Sequence, residues 1–549
     1  MIIPLKDVIY SQKVSIPFLL TFEFLLIFLG LYVQKDDGEP TVRLSFLFQV
    51  YKIYLIIETS VFVTFLTLII AFFKNIYEAI GSVYEDVFFE LLNQADAYKD
   101  NYEIIGSYFS KYTFTCFLPS ILFTILCYRL SKMRFKLRNT QFIFSLNFRL
   151  IPLLYFASAA YLLSTIYIPL SSSDSSKSLF FKMAVPLNID DIKPPEKKKN
   201  IIMFVLESID SVYFSKKNGG SIDTSAIPYL EKLALDKNYT HFSNRKSPLL
   251  GGTSQYKRLD FSLGSAFGAL CGIPYMGVNA QRLGSDVYFN EMTCMGDYLK
   301  KVGYFSSASF GARFDDWGYG NIFKLHGFDR INTVVEILND TKSYFAYDWQ
   351  TIEFFKKEVT ELAQKNQPFL AFMTTHDSHE PGTLCKYCPP GNNRLIRTVN
   401  CLDILVKDFH KWVEQQPWFN DTVIIIYGDH LIRDYNMKKI RRQSGIPPAN
   451  YNLFLNSEVK PTKIFSRKIS VLDYFPSILA AAGFKIKGNR IGIGVNFFSD
   501  QMTNFERYGI NFGPAFSDTT LWYDTVMLKK PITCVKNTPC VKINISVVK

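Results

Sequence analysis

The sequence predicts two classes of structure in one chain: an α-helical membrane domain of about four spans, followed by an α/β domain on a mainly parallel sheet. Three observations predict this. Long apolar runs crowd the first 170 residues, whereas the rest has the composition of an ordinary water-exposed domain. From Asn200 onward, strand-like and helix-like segments alternate, the signature of a parallel sheet covered by helices. Several of those strands run directly into acidic residues or histidines.

The apolar runs fall at 16–33, 51–73, 112–128 and 150–170, each near the ~20 residues that a helix needs to cross a bilayer. The 549 residues are 48% hydrophobic and 16% aromatic, and the apolar residues form such long runs only in this part of the chain. Between the third and fourth runs lies YRLSKMRFKLRNTQ, with Arg129, Lys132, Arg134, Lys136 and Arg138, which the positive-inside rule places in the cytoplasm. Everything after the fourth run is then expected outside the cytoplasm. Lys6 and Lys13 argue mildly against an outside N-terminus, so a fifth span is the alternative. The formal charge of +12 is not a nucleic-acid signal, because no Arg/Lys stripe with interleaved aromatics carries it.

Residues 171–199 (SSSDSSKS, then KPPEKKKN towards their end) are expected to form a flexible, basic linker, and 200–549 the external domain. Seven of the nine cysteines lie in that domain, where disulfides are permitted. Cys534 with Cys540, Cys271 with Cys294, and the cluster Cys385, Cys388 and Cys401 are the candidate groupings. The CxxC at Cys385 is a weak zinc signal, since no second CxxC or HxxxH accompanies it.

Within the domain, NIIMFVLES (200–208), YFSSASF (304–310), PFLAFMTT (368–375) and TVIIIYG (422–428) read as strands. In the last, five of the six residues from Thr422 to Tyr427 are β-branched, which suits a strand buried on both faces. IPYLEKLALD and SVLDYFPSILAAAGF (470–484) read as helices. The first strand ends at Glu207, the last at Asp429-His430, and PFLAFMTT runs into HDSHEP with His376, Asp377 and His379. Three of only six histidines thus follow two strands of one sheet. Two carboxylates and an imidazole are a workable set for Mn²⁺, Zn²⁺ or Mg²⁺. DFSLGSAFGALCGIPY (260–275) adds Ser262 at a helix start, followed by small residues that let an anion approach. Thr253 in GGTSQY is the rival nucleophile.

The order strand-ES, SLGSAFGALCGIP, HDSHEP, YGDHL and VLDYFPSILAAAGF resembles the sulfatase branch of the alkaline phosphatase superfamily. Within it the pattern is most similar to membrane-bound phosphoglycerol transferases and lipoteichoic acid synthases. The resemblance implies an alkaline-phosphatase-like sheet and one divalent metal, Mn²⁺ favoured, held by Glu207, Ser262, Asp429 and His430. It implies that Ser262, where these enzymes usually have Thr, attacks a phospholipid and forms a covalent phosphoglycerol adduct. The group then passes to a glycan or polymer hydroxyl. His379 matches a substrate-binding histidine and Trp317 a substrate-contacting tryptophan, while Tyr319 stands where an arginine is usual. Alternatives are a phosphoethanolamine transferase, a sulfatase-like phosphodiesterase, or a non-catalytic membrane protein. A formylglycine sulfatase is disfavoured because neither Ser262 nor Cys271 lies in C/S-x-P-x-R.

Overall fold

The computed structural model describes residues 179, 182–185, 187–275 and 292–513, together with two short strands, Arg134–Lys136 and Ile143–Ser145. Those two pair with each other antiparallel and belong to a different compact unit from residues 182–513. The four expected spans, Cys534, Cys540 and the side chain of Trp317 lie outside the described residues. No helix among the described residues is long and apolar enough to cross a membrane.

Six strands form the central sheet: β1 (Asn200–Leu206), β2 (Phe305–Phe310), β3 (Arg330–Asn332), β4 (Phe369–Thr374), β5 (Thr422–Gly428) and β6 (Asn452–Leu455). Their order is β3-β2-β4-β1-β5-β6, and every pairing is parallel except that of β5 with β6. The α/β expectation for this domain is met, with an antiparallel strand at one edge. The apolar runs read as strands because both faces are covered. In β1, Ile201, Met203 and Val205 enter one core while Ile202, Phe204 and Leu206 enter the other. The first core receives helices α1 (Ser262–Cys271) and α4 (Tyr474–Ala481). The second receives α2 (Asp348–Ala363) and α3 (Arg394–Glu414).

The described end of the expected linker is docked rather than solvated. Ile192–Lys193 pairs antiparallel with Lys485–Ile486, Val185 bridges Gly492, and Met183 and Ile192 are buried. Lys198 and Lys199 donate to the carbonyls of Val302 (2.8 Å) and Asn456 (3.0 Å). The basic composition hides two apolar anchors, Met183 and Ile192, which hold the described residues 182–185 and 187–199 to the domain.

Gly428 shows how tightly the sheet edge is built. A Cβ there would stand 1.8 Å from the carbonyl oxygen of Ile209, because the chain leaving β1 crosses directly over the end of β5. Gly428→Ala is expected to cost about 1–3 kcal/mol of stability through overpacking. A thermal melt of the full-length protein in detergent checks this, and an unchanged midpoint would contradict the crossing.

Candidate active site

The register of the sheet makes the site. β1 and β5 are direct parallel neighbours with Leu206 opposite Gly428, so Glu207 and Asp429-His430 leave the sheet side by side. β4 flanks β1 on the other side and delivers Thr375 to His379 to the same edge. Chemistry in open α/β sheets collects at such carboxyl ends, where neighbouring connections diverge.

Glu207, Asp429 and His430 are almost wholly buried, and their ligand atoms all lie within 4.8 Å of one another. His430 Nε2 stands 3.3 Å from Glu207 Oε1 and 3.6 Å from Asp429 Oδ2. Ser262, the first residue of α1, brings its Oγ to 3.1 Å from Glu207 Oε2 and 3.2 Å from His430 Nε2. It does not cap its helix: Phe261 holds the cap position, with no side-chain cap bond. Ser262 is the one member of the four that is partly open to solvent.

The surroundings aim each donor. Asp429 Oδ1 accepts from the backbone N–H groups of Ser208 (2.8 Å) and His430 (2.7 Å), while buried Oδ2 accepts no hydrogen bond. His430 Nδ1 lies 3.3 Å from the Leu431 carbonyl; donation there would leave Nε2 as the lone-pair nitrogen once the ring has given up its second proton. Ser208 adopts φ 56°, a left-handed conformation that is costly for a non-glycine residue. It lets one residue donate its N–H to Asp429 and its hydroxyl to Glu207 Oε1 at 2.7 Å.

The charges are balanced only in part. Burial disfavours the His430 cation, yet Asp429 and Glu207 outweigh it and raise the ring to about 9. Burial also raises Glu207, but the His430 charge and hydrogen bond turn the net shift downward. Asp429 is pushed up to about 6, first by burial and then by the like charge of Glu207. Two buried carboxylates therefore share one imidazolium. An unbonded carboxylate oxygen, an imidazole nitrogen, a second carboxylate and a hydroxyl converge on one small volume. This donor set fits a divalent cation, which would replace the shared proton.

The other expected residues separate. His379 lies near Glu207 and is exposed, with Nδ1 3.0 Å from the Glu380 carbonyl. Trp317 sits in the short 3-10 turn Asp316–Gly318. Thr253, the rival nucleophile, is buried 2.8 Å from the Tyr474 hydroxyl, and its backbone pairs with Asn450. Thr253→Val is expected to leave turnover intact and cost about 1–2 kcal/mol by stranding the Tyr474 hydroxyl. Paired activity and melting measurements check both halves. Cys271 and Cys294 form a disulfide, one of the three groupings expected.

Several supporting residues gave no signal in the sequence. Asp210 accepts from the N–H of Val212 and Ile432 and pairs with Arg441, tying the chain after β5 to the chain after β1. Asp348 accepts from the N–H of His376 (2.7 Å) and of Asp377 (3.2 Å), and its own N–H donates to Asp377 Oδ2 at 3.1 Å. Apart from the local Asp210–Val212 bond, each contact joins segments tens to hundreds of residues apart, so no local motif marks it.

Comparison with known proteins adds the following. The chain is 26% identical over 328 residues to phosphoglycerol transferase I of Salmonella choleraesuis (strain SC-B67), a match over 56% of this chain and 40% of that protein. The chain thus spans well under half the length of the curated relatives it matches. Among solved structures it is similar to the lipoteichoic acid synthase LtaP from Listeria monocytogenes, with TM-score 0.44, 15% identity, and coverage of 59% of this chain and 81% of that one. It is also similar to the lipooligosaccharide phosphoethanolamine transferase A (EptA) from Neisseria meningitidis, with TM-score 0.44, 13% identity, and coverage of 77% and 84%. The family model described as Sulfatase matches residues 199–484, more than half of the chain and a stretch that holds Glu207, Ser262, Asp429 and His430. The chain belongs to the sulfatase family.

Proposed function

We propose that the protein is a metal-dependent transferase that moves a phosphoglycerol-type head group from a membrane phospholipid to a glycan or polymer hydroxyl. One observation carries the reading: the partly open Ser262 Oγ sits 3.1–3.2 Å from both Glu207 and His430. A structural serine has no need of a buried carboxylate and imidazole at that spacing. A nucleophile beside a metal centre does.

Glu207, Asp429, His430 and Ser262 would hold the ion, with Mn²⁺ favoured over Zn²⁺ or Mg²⁺ in this oxygen-rich set. Such an ion lowers the hydroxyl pKa of a bound serine and offsets charge on a transferring phosphoryl group. Ser262 Oγ attacks the phosphorus of the lipid phosphodiester and gives up its proton. The bond from phosphorus to the diacylglycerol oxygen breaks, and that oxygen takes up a proton. The acceptor hydroxyl then attacks the same phosphorus and releases Ser262. His379, exposed at the rim, is placed in this reading to contact the phosphate or the leaving oxygen, and Trp317 to contact the head group. The four predicted spans would hold the domain against the donor bilayer, outside the cytoplasm.

The test is mass spectrometry of the full-length protein after incubation with phosphatidylglycerol and, separately, with phosphatidylethanolamine. A phosphoglycerol adduct on the peptide bearing Ser262 is expected with the first lipid. An adduct with phosphatidylethanolamine alone would make the enzyme a phosphoethanolamine transferase, and no adduct with either would overturn the covalent route.

A further inference from the structure

A second cluster of reactive side chains lies away from the metal-ligand set, on the loop that continues from His379. Cys385, Cys388 and Cys401 bring their sulfurs within 4.8 Å of one another. Cys385 Sγ is the common neighbour, 3.1 Å from Cys401 Sγ and 3.6 Å from Cys388 Sγ. Cys401 is buried in α3, whereas Cys385 and Cys388 are half-buried.

Two chemistries suit three adjacent thiols: a thiolate metal site, or a disulfide with a third thiol beside it. Tetrahedral zinc with Zn–S bonds near 2.3 Å holds its sulfurs about 3.8 Å apart and needs a fourth ligand. The closest pair here is nearer than that, and no His, Asp or Glu joins the group among the described residues. The same domain carries the Cys271–Cys294 disulfide, which belongs to an oxidising compartment.

We propose that these residues, free thiols in this structure, form an exchangeable disulfide site, in which Cys401 and Cys385 join on oxidation and Cys388 is the thiol that displaces Cys401. In formation, the Cys385 and Cys401 thiols give two electrons and two protons to a small-molecule or protein disulfide, which leaves as two thiols. In exchange, the Cys388 thiol gives up its proton and attacks Cys385 Sγ, a Cys385–Cys388 bond forms, and Cys401 Sγ leaves and takes up a proton, since burial raises its thiol well above the ordinary range, with no net redox change.

The two pairings hold the loop differently. Cys385–Cys401 spans 16 positions and pins the loop to α3. It reinforces hydrogen bonds from Arg394 to the Gly382 carbonyl (2.6 Å) and from Arg397 to the Pro389 carbonyl (2.7 Å). Cys385–Cys388 closes only its own turn and removes the pin. The loop begins at His376 and His379, both of which interact electrostatically with Glu207, so the two pairings hold one end of the loop that leaves this site differently. The thiol chemistry itself does not depend on the proposed transfer reaction.

The experiment is disulfide mapping of the full-length protein, purified without reductant, alkylated with N-ethylmaleimide and digested under non-reducing conditions. A peptide joining Cys385 to Cys401, with Cys388 alone of the three alkylated, is the expected result. Incubation near the ordinary thiol pKa of about 8.5 should then produce a Cys385–Cys388 linkage in the wild type. The Cys388→Ser variant should keep the original bond. Alkylation of all three residues, a Cys388–Cys401 bond, absence of exchange, or one zinc per chain lost in Cys401→Ser would each overturn the proposal.

Discussion

Ser262→Ala is expected to lower turnover by about 10⁴–10⁶-fold and to abolish the covalent adduct, as loss of a nucleophile does elsewhere. The fold should survive, because Ser262 does not cap α1 and its neighbours Leu263, Ala266 and Phe267 supply the helix with its core contacts. The diagnostic pattern is therefore a loss of chemistry without a loss of structure. Thermal melting should stay near the wild-type midpoint while adduct formation disappears. Ser262→Thr restores a hydroxyl at the same place, so partial recovery of the adduct is expected there. A variant that keeps turnover with alanine at 262 would remove the serine from the mechanism, and with it the reading of the four-residue cluster as a transferase site.

The strands were legible because their chemistry is local. The β-branched run Thr422–Ile426 can hardly be anything but a core strand, and Gly428 ends it for a reason the structure supplies: the Ile209 carbonyl lies where a side chain would go. Glu207, Asp429 and His430 were legible because each follows such a strand directly. What the strands do not reveal is their order. That β1 lies between β4 and β5, with Leu206 opposite Gly428, is a non-local fact, and it turns three separate strand ends into one site. Ser208 was illegible for a related reason. Its left-handed backbone is imposed by two acceptors, Glu207 and Asp429, and only one of them is its neighbour in sequence. Thr253 is the converse case. Its GTS context resembles a nucleophile's, while its burial against the Tyr474 hydroxyl carries no mark in the sequence. The docking of the described part of the basic segment is illegible because Met183 and Ile192 are too few to register as a pattern.

Asp429→Asn is the second change with a large expected effect, and its readout is metal content rather than activity. Asp429 Oδ1 is taken by two backbone N–H groups, so Oδ2 is the oxygen that faces His430 and the shared volume. Asparagine can keep the first function by placing its carbonyl oxygen at Oδ1. It then places an amide N–H₂ towards the cation and removes one negative charge from the set. Metal bound by the purified protein should fall from about one equivalent to below detection, while the backbone contacts preserve the fold. Retention of full metal content would separate Asp429 from the ion. The wild-type protein should also bind its metal with a defined pH slope. His430 is held at about 9 in the metal-free site, so at neutral pH a cation must displace its proton. Affinity should therefore rise about tenfold per pH unit from 6 to 8 for the one proton released, and flatten as pH passes the His430 value. The carboxylates set the sign: they raise the imidazole by stabilising its positive charge, and a divalent cation competes for that same stabilisation. In Asp429→Asn the leading cause of the upward shift is gone, so the His430 pKa should fall towards the value that burial alone would give. An imidazole titration by NMR in the metal-free variant would show it, and a pKa that stays near 9 would place the source of the shift elsewhere.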